Sequence, residues 1–109
     1  MTVAVATSGS QVATIATEHV LATITAPGVY QVVVDAAAMT GADVVEIRVY
    51  GKARSTDSER LLHRGTYGPT ALAVPLVASV PIVSPHHMKV TLKQTAGTGR
   101  TFPWAIYST

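Results

Sequence analysis

The sequence has no cysteine, and charged and aromatic residues are scarce, at 13% and 6% of its 109 residues. Without cysteine the chain can form no disulfide, no thiolate nucleophile and no cysteine-ligated zinc or iron–sulfur site. Scarce charge together with 48% hydrophobic residues is the opposite of the composition of disordered proteins, so the chain is expected to fold. Eight basic against six acidic residues leave a surplus of two charges, too few for the broad positive field of a nucleic-acid-binding protein.

No run of apolar residues reaches the roughly 18 that a membrane-spanning helix needs, and the N-terminal residues lack the basic region of a signal peptide. We therefore expect a protein that is made in the cytoplasm, carries no export signal and makes no contact with a membrane. At 109 residues the length corresponds to one domain. A domain of this size buries about 65% of the surface of its unfolded chain, so it can fold without a metal ion or a disulfide.

β-branched residues are abundant: valine, isoleucine and threonine make up 36 of the 109 residues. Their side chains pack well on a pleated surface and lose rotamer freedom in helices, so this composition predicts an all-β protein. Short apolar segments separated by regular turn signals predict a single antiparallel β-sandwich, jelly-roll or immunoglobulin-like, with roughly seven to eight short strands. One short helical turn is expected near residues 36–40, because Asp35 can cap it and Gly41 can end it.

The strand pattern is clearest in residues 42–52, where Val45, Ile47 and Val49 share one face. Three hairpins are predicted from turn-forming residues between such segments: 42–52 with 59–67, 12–25 with 29–35, and 88–94 with 100–107. Pro75 and Pro81 interrupt the apolar residues 71–83, so we expect a strand of about six residues between these two prolines.

The N-terminal residues are set apart by the small polar residues 7–11. We predict that residues 1–10 form an N-terminal arm or edge strand and that residues 11–109 form the β-sandwich domain. In such an arm Val3 and Val5 would pair with a strand of a neighbouring subunit or of a partner protein. Ser8-Gly9-Ser10 would then serve as a flexible joint.

Two histidines, His86 and His87, are adjacent, but neighbouring residues on a strand point to opposite faces, so both could bind one metal ion only from a loop. His19 and His63 are remote, and the sequence has neither an HxH nor an HExxH motif. We interpret the pair as solvated or hydrogen-bonded side chains and predict no metal site and no cofactor.

Asp57 and Glu59 lie between Arg54 and Arg60. This pattern predicts local ion pairs in a solvated turn rather than the paired carboxylates of a hydrolase. The glycine-rich residues 97–100 match neither GxGxxG nor GxxxxGK[ST], and no helix is predicted after them, so we interpret them as a turn rather than a phosphate loop. No catalytic residue is identified, and we predict that the protein is not an enzyme.

Five of the eight basic residues fall between positions 48 and 64: Arg48, Lys52, Arg54, Arg60 and Arg64. They form either a solvated face, partly neutralised by nearby acidic residues, or a contact with an acidic protein surface. Nucleic acid is not expected as a partner, because few aromatic residues lie among them. The candidate assembly contacts are Arg48, Arg54 and Arg60 in this cluster, together with Val3 and Val5.

The C-terminal strand carries Phe102, Trp104 and Ile106 on one face, which is typical of a core rather than of a ligand platform. A carbohydrate-binding module would need exposed aromatic residues in a groove, and a β-sandwich hydrolase would need convergent carboxylates. A single tryptophan with a predicted internal position argues against the first of these.

Three segments, residues 28–35 (GVYQVVVD), 41–50 (GADVVEIRVY) and 92–104 (LKQTAGTGRTFPW), together resemble small structural proteins of tailed-bacteriophage virions. The resemblance covers most of residues 28–107 and consists of strand and turn sequences without a catalytic motif, so it assigns no functional residue. It implies a compact β domain that is present in many copies in the virion. Several such proteins act as decoration or cement proteins on the outside of the capsid.

The resemblance therefore implies a virion protein, made in the host cytoplasm, that binds the assembled capsid as a cement or decoration subunit and stabilises the shell. Its partners would be the major capsid protein or other virion proteins, and a homo-oligomer is expected, with a trimer favoured. The alternatives are a tail, baseplate or head-fibre adaptor and, from a different class, a carbohydrate-binding module or β-sandwich enzyme.

Overall fold

The computed structural model describes residues 3–68 and 75–109, which form nine β-strands and no helix. The strands are β1 (Ala4–Val12), β2 (Glu18–Ile24), β3 (Gly28–Asp35), β4 (Val44–Gly51), β5 (Arg60–Tyr67), β6 (Leu76–Ala78), β7 (Ile82–Ser84), β8 (Met88–Ala96) and β9 (Thr101–Ser108). They build two antiparallel sheets that pack around one core, so the prediction of an all-β sandwich is confirmed. Within these ranges no helix is long and apolar enough to cross a membrane.

The order of the strands is that of a jelly roll. Sheet I has the order β1-β9-β3-β6, with β7 also paired to β3, and sheet II has the order β2-β8-β4-β5. When β6 and β7 are counted as one interrupted strand, the first strand pairs with the last and the second with the next to last, inward to the β4–β5 hairpin. This nested pairing selects the jelly roll over the immunoglobulin-like alternative.

One of the three predicted hairpins is present, between β4 and β5. The other two predictions are wrong, because β2 pairs with β8 and β3 pairs with β9. The turn at residues 25–27 carries the chain from sheet II to sheet I, and the turn at residues 97–100 does the same between β8 and β9. Turn residues produce a change of direction, but they do not determine whether the next strand stays in the same sheet.

The strand of about six residues predicted between Pro75 and Pro81 is a strand of three residues, β6, and a second strand of three residues, β7, follows Pro81. Both pair with β3, and the chain is interrupted between them at Ser79. The Ser79 N–H donates to the Val32 carbonyl at 2.8 Å, and the Ser79 hydroxyl accepts the Val32 N–H at 3.0 Å. The Ser79 hydroxyl thus takes the place of the backbone carbonyl that would accept the Val32 N–H in a regular antiparallel sheet. Residues 71–74 of the predicted apolar segment lie outside the described residues.

The helical turn expected near residues 36–40 is a single hydrogen-bonded turn that does not continue into a helix. Asp35 Oδ1 accepts the Ala37 N–H at 2.9 Å, as expected of a capping residue. The Met39 N–H donates to the carbonyl of residue 36 at 3.1 Å, and the Met39 side chain is buried. Gly41 then adopts a φ of 57°, the left-handed conformation that ends such turns.

The core lies between the two sheets and consists of the inward-facing residues that the alternation predicts. Val45, Ile47 and Val49 on β4 are all buried. On β9, Phe102 is fully buried, and Trp104 is partly buried and packs against the same core. The interpretation of the C-terminal aromatic residues as core is therefore confirmed.

Strand β1 includes the residues that were expected to form a joint between an arm and the domain. Ser8, Gly9 and Ser10 lie inside the strand and pair with residues 105, 104 and 103 of β9, so the expected break is absent. A Cβ atom on Gly9 would lie 3.0 Å from the Trp104 ring. The small residue at position 9 therefore makes room for the indole, whereas Ser8 and Ser10 are exposed residues of the same regular strand.

Candidate assembly surfaces

The charged residues are distributed unevenly between the two sheets. The strands of sheet I contain one charged residue, Asp35, at the end of β3. The strands of sheet II contain seven: Glu18, Glu46, Arg48, Arg60, Arg64, Lys89 and Lys93. The two outer surfaces of the sandwich therefore differ in chemistry.

We call the outer surface of sheet I the uncharged face; its exposed residues are Val5, Ser8, Ser10, Val12, Leu76, Ala78, Val83, Thr101 and Pro103. Four of them are large and apolar, with exposed fractions of 58% for Val5, 66% for Val12, 57% for Leu76 and 74% for Val83. Single exposed apolar residues are ordinary on a protein surface. Their concentration on a face whose one charged strand residue, Asp35 beside Leu76, lies at the margin is typical of a protein-contact surface.

We call the outer surface of sheet II the charged face; it bears Glu18, Glu46, Arg48, Tyr50, Arg64, Lys89, Thr91 and Lys93. Glu18 is the centre of a hydrogen-bond network on this face. Its carboxylate accepts the Tyr50 hydroxyl at 2.5 Å and the Thr91 hydroxyl at 2.7 Å. Arg48 Nη1 lies 3.4 Å from the same carboxylate, and Arg48 Nε donates to Glu46.

The network holds these groups in their charged forms. Partial burial opposes ionisation of Glu18, but the hydrogen bonds from Tyr50 and Thr91 and the charge of Arg48 outweigh it and lower the pKa of Glu18 from 4.5. Hydrogen bonds with Tyr50 and Glu46 raise the pKa of Arg48. Arg48 therefore partly neutralises Glu18 and Glu46, and Glu18 lacks the raised pKa that a general acid needs at neutral pH.

The structure does not bring the predicted assembly contacts together in one site. Val3, with an exposed fraction of 65%, directly precedes β1, and Val5 lies at the N-terminal end of this strand. Arg48 belongs to the network of the charged face. Arg54 lies in the β4–β5 loop, and Arg60 begins β5.

The acidic residues of the β4–β5 loop form separate ion pairs. Arg54 Nη2 and Nε lie 2.9 and 3.0 Å from the two carboxylate oxygens of Asp57, which is the local, exposed pair that the sequence predicts. Glu59 instead contacts Lys89 Nζ at 2.8 Å and His87 Nε2 at 2.6 Å. Because the two carboxylates are held in different pairs, they do not form a paired-carboxylate site.

His86 and His87 connect the β7–β8 turn to the β4–β5 loop. His86 Nε2 lies 3.0 Å from the Lys52 carbonyl oxygen, and His87 Nε2 contacts the Glu59 carboxylate. The interpretation of this pair as hydrogen-bonded side chains is confirmed. Within residues 3–68 and 75–109, no three histidine, aspartate or glutamate side chains lie close enough together to hold a metal ion.

A groove of about 260 Å³ opens beside these histidines, between β5 and β7. Its lining includes Leu61, Leu62, Val83, Pro85, Lys52 and Arg60. Ser84 also lines it, and the buried Ser84 hydroxyl has no hydrogen-bond partner within the described ranges. The groove is smaller than the roughly 300 Å³ at which typical small-molecule pockets begin.

A buried polar cluster, which the sequence analysis missed, joins two loops. Asp43 is 2% exposed and accepts the backbone N–H groups of Thr40 and Thr98, each at 2.9 Å, and Arg100 Nε at 2.7 Å. The hydrogen bonds from Thr40 and Arg100 lower the pKa of Asp43 from 3.8, although desolvation opposes this. The glycine-rich residues 97–100 therefore bind a carboxylate of their own chain.

Gln94 on β8 completes this cluster. Its side-chain amide donates to the carbonyls of residues 96 and 98 at 3.1 and 2.7 Å, and its Oε1 accepts the Arg100 N–H at 3.0 Å. Thr98 and Arg100 follow Asp43 by 55 and 57 residues. No local pattern in the sequence links groups at that separation.

The cluster predicts acid sensitivity. Folding lowers the pKa of Asp43, so the unfolded chain binds more protons than the folded one around and below pH 3.8, and stability rises with pH in that range. We expect wild type to be more stable than the Asp43→Asn variant at neutral pH, and the difference to shrink as the pH falls below 3.8. Urea unfolding at several pH values measures this. A stability difference that does not change with pH would contradict it.

The described residues offer surfaces for contact: an uncharged face, a charged face with an ion-pair network around Glu18 and Arg48, and a groove with leucine walls. Comparison of the chain with protein-family models, with curated proteins and with solved structures found no match.

Proposed function

We propose that this chain is a structural protein of a tailed-bacteriophage virion, made in the host cytoplasm, that binds the assembled capsid as a cement or decoration subunit. The observation that carries the proposal is the uncharged face, with Val83 and Leu76 exposed by 74% and 57%. The resemblance of residues 28–35, 41–50 and 92–104 to small virion proteins supports it. Jelly rolls occur in viral capsid proteins, but also in lectins and cupins, so the fold alone does not select the function.

The uncharged face is the surface expected to contact the shell. The centres of protein interfaces are depleted of charge, because burying an unpaired charge is costly. Each valine or leucine on this face would contribute on the order of 1.5 kcal/mol if the contact removed it fully from water. The charged face would then point away from the shell, where its ion pairs stay hydrated.

The mechanism is thermodynamic rather than catalytic. A subunit that binds only the assembled shell stabilises that state by mass action, since every bound copy must dissociate before the shell comes apart. Contacts to two neighbouring capsid subunits would hold them together against the pressure of packaged DNA. We propose the major capsid protein as the partner and a homo-oligomer, with a trimer favoured, as the bound form.

The runner-up is an adaptor in the tail, baseplate or head fibre, where the same uncharged face would contact another virion protein. A carbohydrate-binding module fits less well, because Trp104 packs against the core and Tyr50 donates its hydroxyl to Glu18. Neither ring offers the open aromatic platform that sugar binding uses.

A charge placed on the uncharged face is expected to weaken binding to the shell. We predict that Val83→Glu reduces co-sedimentation with expanded shells by about tenfold or more, because the contact would bury an unpaired carboxylate. Val20→Glu is the matched control, since Val20 is 54% exposed on a strand of sheet II. Equal binding of the two variants would contradict the assignment of the contact face.

A further inference from the structure

In the part of the chain that the structure describes, the two sheets have four edges, and three of these edges carry features that prevent pairing with another chain. The β6 and β7 edge consists of two strands of three residues with prolines at positions 75, 81 and 85 around them. The β5 edge carries Arg60, His63 and Arg64 and a register irregularity. The β2 edge carries Glu18 and His19 and also has an irregularity. Short strands, prolines, charges and bulges are the usual protection of exposed edges.

Strand β1 is the edge that lacks most of this protection. It is nine residues long and contains no charged residue and no proline. Its one irregularity lies between Val5 and Thr7, so residues 7–12 pair with β9 in regular register. Ser8, Gly9, Ser10 and Val12 are all exposed. A regular, uncharged edge strand presents unpaired backbone N–H and C=O groups to any compatible strand.

We infer that the free edge of β1 pairs antiparallel with the β1 edge of a second copy of this chain. An uncharged strand suits a second copy of itself, because like charges that face each other across a two-fold axis are destabilising. In a register centred on Gly9, Ser8 lies opposite Ser10 and Thr7 lies opposite Gln11. Ser8 and Ser10 both face outward, and Thr7 and Gln11 both face inward. Each pair therefore lies on the same face of the joined sheet. Val12 of one copy then lies beside Val5 of the other.

The pairing closes on itself. Two copies of sheet I become one continuous sheet, whose outer edges are the protected β6 and β7 strands, so no further copy can add to it. The two uncharged faces lie on the same side of this sheet and form one larger surface. The pairing rests on the proposed function for its role, but it requires an even number of copies and so replaces the isolated trimer favoured there. An isologous contact joins two copies, so it produces a dimer or links two trimers that form through a separate contact.

The test is the oligomeric state of the purified full chain, measured by light scattering and sedimentation over a range of concentrations. We expect an even number of copies in wild type. The double variant Ser8→Lys/Ser10→Lys should raise the dissociation constant of the paired copies about tenfold or more. Position 8 of each copy lies opposite position 10 of the other, so the pairing would contain two pairs of opposed lysines. Ser8→Lys/Ser10→Glu should associate like wild type, because opposite charges would face each other. Val20→Lys/Thr23→Lys adds the same charge to the β2 edge and should leave association unchanged.

Disulfide trapping provides a second measurement that does not depend on the charged variants. The chain has no cysteine of its own, so each variant carries a single thiol. In a mixture of Ser8→Cys chains and Ser10→Cys chains, the pairing places position 8 of one chain opposite position 10 of the other. Opposed residues of an antiparallel pair lie within disulfide distance, so this mixture should form the cross-linked dimer faster than either variant alone. A monomer or a trimer in wild type, or equal cross-linking in all three samples, would overturn the pairing. Because no capsid is present, these results are separate from any failure of capsid binding.

Discussion

Replacing Asp43 with alanine is expected to lower the melting temperature by about 15 °C or more. The carboxylate accepts two backbone N–H groups and Arg100 Nε in a site that is 2% exposed. Its removal leaves the N–H groups of Thr40 and Thr98 without their acceptor and the Arg100 side chain without its counter-ion. Buried donors that lose their partners are among the most destabilising consequences of a substitution.

Asp57→Ala is the matched control for this prediction. Asp57 also accepts from a backbone N–H and from an arginine, but its partner Arg54 has a side chain that is 79% exposed. Water replaces the lost hydrogen bonds at such a site, so we expect a change of no more than a few degrees. Thermal unfolding followed by circular dichroism measures both variants. Equal melting temperatures for the two variants would show that the Asp43 cluster does not hold the fold together.

Gly97→Ala is expected to destabilise the domain by about 3 kcal/mol or more. Gly97 has a φ of 90°, which is unfavourable for any residue with a Cβ atom. A Cβ atom built at this position would lie 1.9 Å from Asp43 Oδ1, so the carboxylate would have to leave its donors. The substitution therefore combines backbone strain with disruption of the polar cluster.

Gly41→Ala separates these two effects. Gly41 has a φ of 57°, and a Cβ atom there would meet no atom within 4 Å. Only the backbone strain remains, so we expect a loss of about 1 kcal/mol. Urea unfolding gives both values. A loss in the Gly97 variant no larger than that in the Gly41 variant would mean that the contact with Asp43 contributes little to stability.

The parts of the fold that local sequence pattern determines were predictable. Val45, Ile47 and Val49 are buried as the alternation predicts, because successive residues of a strand point to opposite faces. The β4–β5 hairpin was predictable because its strands are consecutive in the chain and lie in one sheet. The pairings of β2 with β8 and of β3 with β9 were not, because they join distant segments and the intervening turns change sheets.

The small polar residues of β1 show a second limit. Ser8, Gly9 and Ser10 have the composition of a flexible joint, yet they form regular strand paired with β9, and Gly9 makes room for Trp104. The contact that requires a small residue involves a side chain 95 positions away in the sequence. Composition therefore indicated flexibility where tertiary packing required a small side chain.

The candidate surfaces were only partly visible in the sequence. The cluster of basic residues between positions 48 and 64 is visible in the sequence because its members lie close together along the chain. The scarcity of charge in sheet I becomes evident only when the strands are sorted by sheet, since β1, β3 and β9, which hold one charged residue among them, are far apart in the chain. The Asp43 cluster was missed for the same reason, because its donors come from a distant loop.

The most direct test of the proposed function is a cryo-electron microscopy reconstruction of the virion whose genome encodes this chain. We predict density that fits the sandwich at repeated positions over the whole capsid lattice, with the uncharged face on the shell and the charged face outward. Density confined to the tail or baseplate, or a virion that contains no copy of the protein, would contradict the assignment as a capsid cement or decoration subunit.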